Sequence, residues 1–224
     1  MSSERSLHEK TVGLHSAPKV YVVDDDESIR FAMQTLMESN GIGVKTFATA
    51  ETFLESFRPE NTGCLVLDIH MPGISGLDLQ EILRQKEVSI PIIFFTAQGS
   101  IPMAVHAVKK GAVDFIEKPF ECKDLLERVQ EALRLDAESR QRRNECVSIA
   151  CRLASLTPRE SEVMDRIIAG RLNKMIAQEL HICIKTVEAH RAKVMEKMGV
   201  NSVAELVRIT FGARGATPSS PHHI

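Results

Sequence analysis

No stretch of this 224-residue chain is long and apolar enough to span a bilayer, and the opening Met-Ser-Ser-Glu-Arg-Ser-Leu-His lacks the apolar core of a secretory signal. Neither a membrane-spanning nor an exported protein is expected, and the chain reads as cytoplasmic. Cysteine is sparse and unpatterned: Cys64, Cys122, Cys146, Cys151 and Cys183 are odd in number and lack paired zinc spacing. That excludes a disulfide frame or a zinc centre and leaves reduced thiols. Net charge is also nearly absent, at -2, but the balance hides an asymmetry. Residues 18–136 hold 12 Lys and Arg against 19 Asp and Glu, whereas residues 137–224 hold 14 against 9. An acidic half suits a divalent cation and a basic half suits a phosphate backbone. Glycine and proline are missing between Phe120 and Thr157, which permits one long helix. With 43% hydrophobic residues, the length accommodates one or two domains, each with a buried core.

Against these absences stand four short, β-branched and apolar runs, each leading into a polar group. Val20-Tyr21-Val22-Val23 precedes Asp24-Asp25-Asp26, Cys64-Leu65-Val66-Leu67 precedes Asp68, Ile92-Ile93-Phe94-Phe95 precedes Thr96, and Val113-Asp114-Phe115-Ile116 leads to Lys118. Between them lie helical spacings: Ile29, Met33, Leu36 and Met37 before Gly41; Leu77, Leu79, Ile82 and Leu83; Met103, Val105, Ala107 and Val108 before Gly111. Alternating strand and helix predicts an α/β fold with a parallel sheet, in which groups just past the strand ends share one crevice. Singly, each group has an ordinary reading as a solvated turn, a backbone-bonded hydroxyl or a surface cation. Together they predict an acidic metal pocket with a nucleophile and a cation for a phosphoryl group.

The second half follows a different pattern. An apolar seam at Leu125, Leu126, Val129, Ala132 and Leu133 fades through Asp136 to Glu145 and returns at Cys146, Ile149, Ala150 and Leu153. Asp136 with Arg140 and Glu138 with Arg142 have helical spacing, so this middle stretch reads either as a helix solvated on all sides or as a charged hinge. Beyond it, Thr157 with Glu160 forms a capping-box pattern, Pro158 takes the first helical position and Gly170 closes the helix. Asn173 to Leu180, Ile184 to Met198 closed by Gly199, and a helix capped by Ser202 with Glu205 complete a four-helix module. From Gly212 onward there is no apolar seam, and His222 and His223 read as incidental. The expected organisation is a flexible tail at 1–17, an α/β domain at 18–135, a linker helix at 136–153, the helical domain at 154–212 and a disordered tail at 213–224.

The motifs V-Y-V-V-D-D-D, L-D-I-H-M-P-G-I-S-G, F-F-T-A and F-I-E-K-P-F make residues 19–135 resemble the receiver domain of two-component response regulators. Residues 156–208 carry L-T-P-R-E-S-E-V, N-K-M-I-A-Q-E-L and K-T-V-E-A-H-R-A-K-V-M-E-K-M, which resemble the helix-turn-helix of FixJ/NarL (LuxR-type) regulators. The resemblance implies a doubly wound, five-stranded, flavodoxin-like sheet of order 2-1-3-4-5 followed by an all-α four-helix domain. It also implies a non-enzymatic protein that accepts phosphate on Asp68 from a sensor histidine kinase. Mg2+ would be held by Asp25, Asp68 and the His70 carbonyl, with Asp24 acting through water and Asp26 facing solvent. Lys118 would neutralise the phosphoryl oxygens and Thr96 would bond the product. Phe115 stands at the aromatic switch position, although the same residue fits ordinary core packing. Lys118-Pro119 is a cis peptide by resemblance and a trans one by base rate. A phosphatase of the haloacid-dehalogenase type would need a second Asp two residues after Asp68, where this chain has His70.

In the helix-turn-helix half, the resemblance sends helix 184–198 into the major groove of promoter DNA. Lys185, Thr186, Glu188, Ala189, His190, Arg191 and Lys193 become the candidate contacts, while Val187, Val194 and Met198 have the spacing of a buried face. Glu188, the two alanines and Cys183 depart from the family pattern, and a thiol caps a helix poorly. RNA polymerase is an implied partner, as is a second copy on phosphorylation. That copy would dock through residues 101–110 and the following strand, with Val105, Lys109 and Asp114 at the contact, or through the helix after Pro119.

Overall fold

The computed structural model describes residues 17–96, 105 and 107–215, which fall into two compact units dividing between Ser139 and Arg140. In the first unit, β1 (Lys19–Val23), β2 (Gly43–Phe47), β3 (Gly63–Leu67), β4 (Ile92–Thr96) and β5 (Asp114–Glu117) form one parallel sheet in the order β2-β1-β3-β4-β5. This is the order implied by the receiver motifs. Strands β1, β3 and β4 read as continuous apolar runs because both of their faces are covered. Tyr21, Val23, Leu65, Leu67 and Phe94 face a cluster with helices α2 (Ala50–Ser56) and α3 (Gly76–Gln85). Val20, Val22, Cys64, Val66, Ile93 and Phe95 face α1 (Glu27–Ser39) and α4 (Cys122–Ala154). Edge strand β2 has no such run; only its last residue, Phe47, is buried, so it escaped the run-based reading.

Residues 105 and 107–109 are helical, Ala107 is buried and Gly111 has φ +96°, whereas Met103 lies outside the described residues. Lys118-Pro119 is cis.

Helix α4 runs unbroken from Cys122 to Ala154 and corrects the solvated reading of its middle. Asp136 is only 2% exposed, and its Oδ2 accepts the Gly63 N–H at 2.9 Å where β3 begins. That amide lies buried at a strand entrance and needs an acceptor, which the helix supplies from 73 residues away. Glu138 pairs with Arg134, one turn earlier.

The second unit contains α5 (Pro158–Ile168), α6 (Asn173–Leu180), α7 (Ile184–Met198) and α8 (Val203–Gly215) around a core that includes Val163, Ile167, Ile176, Val187, Val194 and Leu206. Both capping-box bonds form: Glu160 N–H donates to Thr157 Oγ1 at 3.3 Å and Thr157 N–H donates to Glu160 Oε2 at 2.8 Å. Gly199 closes α7 at φ +63°, and Ser202 Oγ accepts the Glu205 N–H at 3.2 Å. Helix α8 continues through Gly212, against the expected break there. A helical glycine costs only about 1 kcal/mol, and Leu206 and Thr210 hold the preceding turns in place. Residues 213–215, expected in the disordered tail, belong to this helix, whereas residues 1–16 and 216–224, including His222 and His223 and the rest of the two expected tails, lie outside the described residues. Among the described residues, no helix is long and apolar enough to cross a membrane.

Candidate functional site

Strand register brings the acidic residues together. Val23 pairs with Leu67, so Asp24 and Asp68 are the next residues on neighbouring strands, and Asp68 N–H donates to the Val23 carbonyl at 2.9 Å. Carboxylate oxygens of Asp24, Asp25 and Asp68 lie within 4.8 Å of one another. Asp24 and Asp68 are buried while Asp25 is exposed, so the cluster opens to solvent on one side. On the other flank Thr96 pairs with Glu117, and Thr96, fully buried, accepts the Lys118 N–H on its backbone carbonyl at 2.8 Å. Lys118 Nζ reaches Asp24 Oδ2 at 2.9 Å and Asp68 Oδ1 at 4.0 Å, and it sits 4.3 Å above the Phe95 ring centroid. An aromatic face beneath a partly desolvated ammonium restricts where it can swing.

Burial pushes the Asp68 carboxyl above its ordinary value and outweighs the lowering by Lys118; Asp24 and Asp25 push it in the same direction as burial. A carboxylate that is costly to leave charged gains from a cation or a covalent phosphoryl bond. The donors are all oxygens, which suits a hard cation that retains several waters, so the site fits Mg2+.

Two local features fix Asp68. Its Oδ1 accepts the Ile69 N–H at 2.9 Å. Gly76, which opens α3, rests on the Asp68 carbonyl so closely that a Cβ would lie 2.1 Å from that oxygen. Asp26 is exposed and caps α1 through a 2.8 Å bond from the Ser28 N–H. His70 is exposed, and Phe115 is partly buried against the α2 and α3 cluster.

In the second unit, α7 buries Val187, Val194 and Met198 and leaves Lys185, Glu188, Ala189, Ala192 and Lys193 exposed. Thr186, His190 and Arg191 are partly buried, and Arg191 donates to Asn173 Oδ1 on α6 at 3.3 Å. Cys183 offers no side-chain cap; its thiol instead lies 3.0 Å from the Thr186 hydroxyl, which lowers its pKa.

The family model for the response regulator receiver domain matches residues 20–130, and that for the luxR family of bacterial regulatory proteins matches residues 154–210. The transcriptional regulatory protein FixJ of Bradyrhizobium diazoefficiens is 42% identical over 194 residues, covering 87% of this chain and 95% of FixJ. The chain belongs to the FixJ/NarL family of response regulators. TdiR of Thauera aromatica is 41% identical over 92% of this response regulator and 89% of TdiR. Among solved structures, the response regulator StyR superposes with a TM-score of 0.82 at 47% identity, covering 88% of this chain and 99% of that one. Full-length FixJ from B. japonicum gives 0.55 at 39% identity, covering 90% and 100%. This response regulator therefore joins a receiver domain to a LuxR-type DNA-binding domain and belongs to a family of transcriptional regulators.

The roles of three residues escaped sequence reasoning. Arg30 binds the backbone of the acidic loop, Asp136 binds the entrance of β3, and Lys197 pairs with Glu160 of the capping box at 2.6 Å. The first two bind peptide groups, which carry no side-chain signature in a sequence. Gly76 stood within a quoted motif, but only the geometry explains it.

Proposed function

We propose that this response regulator is a cytoplasmic two-component transcription factor whose receiver, residues 18–135, takes a phosphoryl group on Asp68. The observation that carries the reading is Asp68 set against Asp24, Asp25 and Lys118 at the strand ends. An Asp68 oxygen attacks the phosphorus of a kinase phosphohistidine; the P–N bond breaks and its electron pair leaves with the imidazole. Mg2+ held by Asp24, Asp25, Asp68 and the His70 carbonyl would neutralise charge on the transferring oxygens. Lys118 gives up its hold on Asp24 to meet the phosphoryl group, and the Thr96 hydroxyl donates to the product. Inward movement of Thr96 opens space for the Phe115 ring to turn. The protein is consumed stoichiometrically by phosphate and does not turn over a substrate.

Phosphorylation then favours a dimer through residues 101–110 and β5. Of the residues assigned to that contact, Val105 is 46% exposed, Lys109 is exposed and Asp114 is ion-paired with Arg128; 101–104 and 106 lie outside the described residues. A face on α4 is the alternative. Residues 136–153 link the receiver to the DNA-binding domain, 154–212, which docks α7 in the major groove and recruits RNA polymerase. Exposed Lys185 and Lys193 meet phosphates, while Thr186, Glu188, Ala189, His190 and Arg191 lie along the base-reading stretch. Incubation with a phosphodonor, borohydride trapping and mass spectrometry tests the acceptor, with label expected on Asp68 and wild-type labelling of Asp68→Asn refuting it. Sedimentation with and without phosphate tests the dimer, and an unchanged monomer refutes it. Lys193→Ala should weaken binding to all duplexes and reduce the salt slope by about one unit, whereas His190→Ala should relax specificity at one position.

A further inference from the structure

The acidic loop is gripped by two cations, and only one of them touches a carboxylate. Lys118 binds Asp24 Oδ2 from the sheet side. Arg30, on the first turn of α1, instead directs one guanidinium nitrogen to the backbone carbonyls of Asp24 at 2.7 Å and Asp25 at 2.9 Å. Both bonds are charge-assisted, and together they fix the two successive peptide planes on which the carboxylates of Asp24 and Asp25 are mounted. Further loop bonds come from neutral backbone donors, among them Asp26 N–H to Asp24 Oδ1 at 2.9 Å and Asp24 N–H to the Phe47 carbonyl at 3.2 Å. The first of these holds the N–H edge of the same peptide whose Asp25 carbonyl Arg30 binds, the second does not reach it, and Asp25 is the exposed member of the triad. Arg30 thus grips the carbonyl edges of both peptides, while Asp24 Oδ1 holds the N–H edge of the second, and together they set where the solvent-side carboxylate stands relative to Asp24 and Asp68.

We propose that Arg30 is a positioning residue that preorganises the acidic loop for its divalent cation, acting through the Asp24 and Asp25 carbonyls without touching the ion. This rests on the Mg2+ reading of the pocket and names the residue that sets its affinity. Two effects of the guanidinium oppose each other. Its charge repels an incoming cation, while its two bonds prevent the loop from relaxing away from three crowded carboxylates. Arg30 is partly exposed, so water and salt screen its charge, whereas the geometric constraint acts on the ligands directly and positioning prevails.

The chain has no tryptophan to report metal binding by fluorescence quenching, so the test is calorimetric titration of the full unphosphorylated chain with MgCl2. Arg30→Met keeps the apolar stem and removes both bonds; it should raise the Mg2+ dissociation constant about tenfold, the scale of a lost charged hydrogen bond. The rate of phosphate acceptance at saturating Mg2+ should stay near that of the wild type, so the loss appears in half-saturation and not in the maximal rate. Arg30→Lys, which retains the charge on a shorter side chain that reaches the two carbonyls less well, should fall between the two. An unchanged or tighter Mg2+ constant in Arg30→Met overturns the inference. So does wild-type affinity in Arg30→Lys, which shows that the placement of the guanidinium is not needed and keeps the test open if the Met variant fails to fold. Failure of wild-type Asp68 to take label would defeat the phosphoacceptor reading, while the calorimetric comparison still decides Arg30.

Discussion

Replacing Asp136 by alanine tests whether the start of β3 depends on a helix far away in sequence. The carboxylate is 2% exposed and accepts the Gly63 N–H at 2.9 Å, and Gly63 itself is held tightly, since a Cβ there would lie 1.8 Å from the Lys19 carbonyl oxygen. With no slack to turn toward water, the amide loses its acceptor outright, which costs about 1–3 kcal/mol. At roughly 4 °C per kcal/mol for a unit of this size, the receiver transition should fall by about 8 °C. Asp136→Asn keeps a carbonyl acceptor and should lose less than about 1 kcal/mol. Calorimetry of the full chain measures the transition, and amide exchange at Gly63 localises the effect, with faster exchange expected in the alanine variant. A receiver transition within a degree of the wild type, with Gly63 exchange unchanged, would refute the reasoning.

Gly76→Ala should disturb Asp68 and the fold together: a methyl 2.1 Å from the Asp68 backbone carbonyl must push that residue aside, so phosphate acceptance should drop and the receiver melting transition should fall with it. Gly63→Ala, at φ +133° against the Lys19 backbone, should cost at least about 3 kcal/mol and show as poor folding by circular dichroism. Glu160 is held down to about 2 by Lys197 and the Thr157 N–H, so its contribution is present above the ordinary value of 4.5 and is lost as pH falls toward 2. Acid titration should therefore unfold the DNA-binding unit of wild type with a steeper dependence over that window than Glu160→Gln. Burial, reinforced by Asp136, pushes the Cys64 thiol up to about 12, so alkylation at neutral pH should modify exposed Cys122, Cys151 and Cys183 and spare Cys64 until the chain unfolds.

The sequence alone determined the layers and the meeting place. Strands covered on both faces must be apolar along their whole length, so β1, β3 and β4 announced themselves, and the group following each of them had to sit at one end of a parallel sheet. Helix ends were equally legible, because the Thr157–Glu160 box and Gly199 satisfy their own helices with residues only a few positions away. Tertiary structure decided what local pattern could not encode. Edge strand β2 has a single buried residue and so no run to read. Asp136 looks like one more charge on a solvated helix until β3 delivers a buried amide to it, and Arg30 looks like a surface cation until the acidic loop turns two carbonyls toward it. In both cases the partner is a peptide group, identical at every position of the chain, so only the folded path can say which side chain it meets.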